Sequence, residues 1–224
     1  MSEEKPGEVG KQLSYKLGVP RIDETLDGVD GGTNLLVTGS GVDKDSFVHG
    51  SVSRGIEDDE TVIYVTTGES AEDVLRSYDG HDLDRLAVVD CVSENQDLGE
   101  VEGNESVRTA GSPSDMTGIG IEVSELLEAS WGDKGIERNR VCVDSVSTLL
   151  MYADLETVFR FLHVFTGRIR SVDGLGLFAM DPGMHDEREN STLRQLFDGS
   201  VEFDDGSVRV TGLTDEPTGW VELD

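Results

Sequence analysis

The stretch with the most chemical potential is NLLVTGSGVDKDSF, Asn34 to Phe47. An apolar run feeds a glycine turn and then a helix, the construction that lets backbone N–H groups and a helix N-terminus hold a phosphate. Gly39 and Gly41 would shape the turn, Lys44 offers a cation and Ser46 a hydroxyl, but Asp45 puts a negative charge where a phosphate loop needs its lysine. No rival constellation stands out. His49, His81, His163 and His185 are widely spaced and form no pattern such as HxxxH, and no Ser, His and Asp stand at a recognisable hydrolase spacing. His163 falls within an apolar helical pattern and is expected to pack there. Cys91 and Cys142 each sit in an apolar run without CxxC spacing, which reads as two buried free thiols.

These residues need elements to position them, and hydrophobic patterning supplies a regular alternation. Strands are expected at 33–39, 61–67, 85–92, 139–146 and 175–181, and helices at 44–54, 70–78, 119–131, 145–152, 154–171 and 189–199. In the helix 119–131 the apolar residues are Ile121, Leu126, Leu127 and Trp131. The strands are nearly continuous apolar runs, as strands buried on both faces should be, so the fold class is α/β: three layers around a mainly parallel sheet. Asp205-Gly206 between two β-rich runs marks a C-terminal hairpin over 200–212 that extends the sheet antiparallel, with a last edge strand at 219–224. Residues 93–118 lose all periodicity and read as a long irregular loop. In such sheets ligands sit beyond the strand C-termini, an edge that carries Gly39 to Ser46, Thr66 to Ser70, Asp90 to Ser93, Asp144 to Ser147, and Asp181.

Composition bounds the reading. The 224 residues suit one domain, 13–224, behind a mobile polar tail, 1–12. The formal charge is -29, from 47 acidic and 18 basic residues, with the acids dispersed along the chain as in the proteins of salt-loving archaea. No basic cluster interleaved with aromatics appears, so nucleic acid is not an expected partner. There is no signal-like N-terminus and no apolar run near the roughly 20 residues that span a bilayer, so the expectation is a cytoplasmic protein without a membrane partner.

The segments LGVPRIDETLDGVDGGTNLLVTGSG, YVTTGESAEDVL, VVDCVS, RVCVDSVSTLLMY and LFDGSVEF, in this order, resemble the RecA-like P-loop ATPases of the KaiC class, in a divergent haloarchaeal form. The resemblance covers Tyr15 to the end. It implies a three-layer RecA-like domain that binds ATP and Mg²⁺ on the first loop and self-associates through domain edges. Laid on the family's G-x-x-x-x-G-K-[ST] loop, the first glycine is Gly39, the second falls on Lys44, the lysine on Asp45 and the hydroxyl on Ser46. Lysine to aspartate beside a polyanion reverses about 8 kcal/mol at about 4 Å for an effective dielectric of about 20. The resemblance further makes Glu69 the candidate catalytic base and Asp144, with Ser46, the candidate Mg²⁺ ligands, whereas helix-start and capping roles are the structural alternatives.

Two functions follow. In the first the chain has lost normal ATP hydrolysis and serves as a regulatory or protein-interaction module with an unknown protein partner, ATP and Mg²⁺ being bound weakly or not at all. In the second it is an atypical Mg-ATPase using Ser46, Asp144, Glu69 and Lys44 or a cation from a neighbouring subunit. A DNA-recombination accessory ranks below both, because residues 93–105 are acidic where phosphate contacts need Lys or Arg.

Overall fold

A computed structural model describes residues 13–39, 41–93, 106–132, 138–214 and 217–223. The elements in chain order are β1 (Ser14–Tyr15), α1 (Pro20–Leu26), β2 (Val29–Asp30), β3 (Asn34–Thr38), α2 (Val42–Glu57), β4 (Thr61–Thr66), α3 (Ala71–Ser77), β5 (Leu86–Asp90), β6 (Val107–Thr109), α4 (Met116–Gly132), β7 (Asn139–Asp144), α5 (Val146–Tyr152), α6 (Leu155–Ser171), β8 (Leu175–Met180), α7 (Glu187–Arg194), β9 (Gly199–Asp204), β10 (Ser207–Thr211) and β11 (Val221–Glu222). Nine strands form one sheet in the order β11-β10-β9-β3-β8-β7-β4-β5-β6, while β1 and β2 make a small separate ribbon.

Strand alternation divides the core into two layers. Leu35, Val37, Val62, Tyr64, Val88 and Leu177 face one side, where Phe47, Val48 and Val52 of α2 and Val74 of α3 cover them. Leu36, Ile63, Val65, Val89, Val143 and Phe178 face the other, under Ile119 and Val123 of α4, Leu149 of α5 and Leu162, Phe165 and Ile169 of α6. The expected three-layer α/β arrangement is therefore the one observed. The pairs of β3 with β8, β8 with β7, β7 with β4, and β4 with β5 are all parallel. Cys91 and Cys142 are buried free thiols, and burial pushes both up to about 12, which leaves them inert.

The end of the sheet opposite the strand C-termini is fastened by a buried charge cluster. The Arg140 guanidinium, fully enclosed, donates to Glu60 (2.8 Å) and to the carbonyls of Ser51 (2.6 Å) and Lys16 (2.8 Å), joining β7, β4, α2 and the segment after β1. Each buried charge thereby meets a partner, which burial demands.

Several elements differ from expectation. Residues 93–118 are not a loop throughout: Val107–Thr109 is a strand paired parallel with β5, and α4 begins at Met116. A three-residue strand is too short to show periodicity. Residues 94–105 of that segment and the tail 1–12 lie outside the described residues. The C-terminal antiparallel hairpin forms as expected, with β10 and β11 running against their neighbours, but its first strand β9 joins the sheet parallel to β3. α7 ends at Arg194 rather than 199, and Gly199 already starts β9. Ile121 lies 50% exposed on the outer face of α4. His163 is also exposed; instead of packing inward it stacks on Phe159 with ring centroids 6.4 Å apart. Among the described residues no helix is long and apolar enough to cross a membrane.

Candidate functional site

The loop after β3 sits at the carboxyl edge of the sheet, as its sequence predicts, and α2 starts at Val42, directly behind Gly41. Gly39 has φ +153°, and a Cβ there would lie 2.8 Å from Cβ of Phe203 on β9, so packing against the neighbouring strand alone demands glycine. Gly41 has φ +80° with open space around it, and it caps the helix without a side-chain hydrogen bond. The first backbone N–H groups of α2 therefore face outward without a side-chain acceptor from the cap.

The charges around those groups are arranged by helical phase. Lys44 lies on the same stripe as Val48, Ser51 and Val52, so its stem is buried. Its ammonium ends 3.1 Å from Oδ1 of Asp45. Asp43 and Asp45 both occupy the first turn, where the helix dipole favours carboxylates. Ser46 falls on the exposed side, and its hydroxyl makes no hydrogen bond to another described residue. One loop-and-helix unit thus holds Gly39, Gly41, Lys44 and Ser46, but its cation is already engaged by its own neighbour.

At the end of β4, Thr67 ties two strands together. Its hydroxyl donates to the Asp144 carbonyl (2.9 Å) and accepts from the Ser145 N–H (2.7 Å). The Thr66 hydroxyl donates to the Glu69 carbonyl (2.7 Å) and accepts from the Glu69 N–H (3.1 Å), closing the turn that leads into Ser70, the N-cap of α3. The Glu69 side chain itself is exposed and pairs with no described residue.

Asp144 ends β7 and is half-buried, and its Oδ2 accepts a hydrogen bond from the Tyr64 hydroxyl at 2.9 Å. Tyr64 stands opposite Cys142 in the β4–β7 register, so Asp144, two residues on, projects from the same face. Burial first, and then the Asp144 charge, push the Tyr64 phenol far above its ordinary value. It stays protonated and remains a donor to the carboxylate. Behind it the Tyr78 hydroxyl meets Nδ1 of His49 at 2.8 Å, and burial likewise raises Tyr78. Neither tyrosine was marked by spacing in the sequence, because their relation to Asp144 and α2 exists only across strands.

The remaining acids of this edge are committed locally. Asp90 accepts from the N–H groups of Ala71, Val92 and Ser93 and from the Ser93 hydroxyl. Asp181 accepts from the Gly183 N–H at 2.9 Å and, through its own N–H, donates to the Ser147 hydroxyl. Among the described residues no three His, Cys, Asp or Glu side chains converge on a metal position.

Comparisons with known proteins agree with this architecture. The model of a family described as "Family of unknown function (DUF7504)" matches residues 32–203. A KaiC-like protein from the hyperthermophilic archaeon Pyrococcus horikoshii OT3 superposes with a TM-score of 0.64 at 18% identity, over 89% of this chain and 88% of that one. An uncharacterized protein from Pyrococcus horikoshii, solved in complex with an unknown peptide, gives a TM-score of 0.68 at 15% identity, over 94% of this chain and 100% of that one. At such identities the likeness establishes a KaiC/RecA-like fold. No curated protein matches the sequence.

Proposed function

The chain belongs to the Family of unknown function (DUF7504), and from that premise we propose that it is a RecA-like domain with a degenerate phosphate loop, which has lost normal ATP hydrolysis and acts in the cytoplasm of a salt-loving organism as a regulatory or protein-interaction module. The observation that carries this reading is the Lys44–Asp45 pair at the start of α2. The one cation of the loop is neutralised from within, and Asp43 and Asp45 set two negative charges where a polyphosphate would dock. Ser46 and Asp144 are the residues that would hold Mg²⁺, yet the Asp144 carboxylate already accepts from Tyr64. This donor set fits ATP with Mg²⁺ poorly.

One observation favours the atypical ATPase instead. The space around Gly41 is open and the N-terminal amides of α2 lack a side-chain cap, so an anion has backbone donors within reach. Titration calorimetry with a non-hydrolysable ATP analogue and Mg²⁺ in high salt separates the two. The first reading expects no binding at ligand concentrations up to about 1 mM. Micromolar binding abolished by Asp144→Ala, together with phosphate release lost in Glu69→Gln, would overturn it in favour of the second.

A further inference from the structure

On the sheet face opposite α2, helices α4 and α6 lie side by side, and the outer seam between them is a groove of about 600 Å³. Its floor is apolar: Met116 and Ile121 from α4, and Phe161, Val164 and Phe165 from α6. Val164 is 71% exposed and Ile121 50%. Phe161 and Phe165 pack with ring centroids 5.0 Å apart, which makes that floor a preformed surface. Gly120 and Ser124 keep the α4 side low, so a helix could approach closely. An outer-layer helix ordinarily turns charge to solvent. Two adjacent helices exposing an apolar seam, in a chain where 29% of residues are charged, mark an interaction surface.

The charges flanking the seam specify what covers it. Glu125 and Glu128 stand on the α4 wall, and Arg160 and Arg168 on the α6 wall. A basic partner helix would suit the first wall and oppose the second, and an acidic one the reverse. We propose that the groove is covered by a second copy of this chain, related by a twofold axis parallel to the seam, so that each α4 lies on the α6 of the other copy. The helices run parallel, with Gly120 beside Phe161 and Glu128 bonded to Arg168. An axis along the seam preserves those levels. It lays Glu128 of one copy against Arg168 of the other, and the reverse, closing a four-membered ring of alternating charge beside an apolar centre. The perpendicular axis would instead set α4 on α4, acidic wall against acidic wall, and α6 on α6, basic wall against basic wall. Only the first arrangement satisfies both walls at once.

Each copy carries a formal charge of -29, so the pair forms against long-range repulsion that salt removes. The Debye length falls from about 8 Å at 0.15 M to about 3 Å at 1 M. Association therefore strengthens with salt. This inference goes beyond the reading of the phosphate loop and does not rest on it, since association and nucleotide binding are measured separately.

Sedimentation equilibrium of the full chain tests it. In about 1 M KCl a monomer–dimer equilibrium is expected, weaker in about 0.15 M. Val164→Asp and Ile121→Asp, both at exposed positions and checked for folding by circular dichroism, should each raise the dissociation constant at least about tenfold. Arg168→Glu and Glu128→Arg should each weaken self-association, whereas an equimolar mixture of the two variants should restore a dimer, because each wall then meets its opposite. A chain that stays monomeric in high salt, a dimer indifferent to Val164→Asp, or a mixture that fails to re-associate overturns the proposal.

Discussion

Asp144 is a hydrogen-bond acceptor in this fold whatever else it touches, and Tyr64 is the residue that makes it so. Tyr64→Phe removes the donor from a half-buried carboxylate and is expected to cost about 1–3 kcal/mol of stability, read as a lower denaturant midpoint with an unchanged m-value. The same scale explains what could and could not be read from the chain. Gly39, Gly41, Lys44 and Ser46 announce a turn-to-helix unit by spacing; the two glycines lie in the turn after β3, and Lys44 and Ser46 lie in the opening turns of α2. That Lys44 turns inward and closes on Asp45 depends on the phase of α2, and that Tyr64 reaches Asp144 depends on which strands are neighbours. At Gly39 the close approach to Phe203 accounts for the glycine without any ligand.

At the scale of elements, two charge clusters fasten helices and strands together. Arg140 binds β7 to α2 and to the segment after β1 through Glu60 and two carbonyls. Arg140→Met leaves the buried Glu60 with Arg138 as its remaining charged partner and the Ser51 and Lys16 carbonyls without their donor, so a loss of about 3 kcal/mol is expected, measurable by equilibrium urea unfolding. Glu202 on β9 serves the opposite side of the molecule. Burial alone would raise its carboxyl, but donation from Arg209, Arg194 and Ser200 outweighs burial and holds it below the usual glutamate range. A depressed folded-state value means that the stabilisation is present above the ordinary value of 4.5 and is lost as pH falls through the folded value. Urea midpoints should therefore drop on acidification into that window, and Glu202→Gln should flatten that part of the profile. The long apolar strands and the capped helices were legible because periodicity and caps are local. Val107–Thr109 was not, because a short edge strand is defined by its hydrogen bonds to β5 and not by its own pattern.

For the whole molecule, the formal charge of -29 on 224 residues sets a repulsion that every folded contact works against. The midpoint of thermal unfolding is expected to rise continuously as KCl increases from about 0.1 M to about 2 M, which differential scanning calorimetry checks; a flat response would show that the acids are spaced too widely to matter. The sequence by itself determined the α/β class, the glycine turn that follows β3 and the acids set beside Lys44, since all three follow from local pattern and residue type. Only the tertiary structure decided that β9 joins β3 in parallel, that Asp144 answers to Tyr64, and that α4 and α6 leave an apolar seam outward. Those facts depend on which elements become neighbours, and neighbourhood is settled when two apolar faces of one sheet are covered at once, not by any stretch of chain alone.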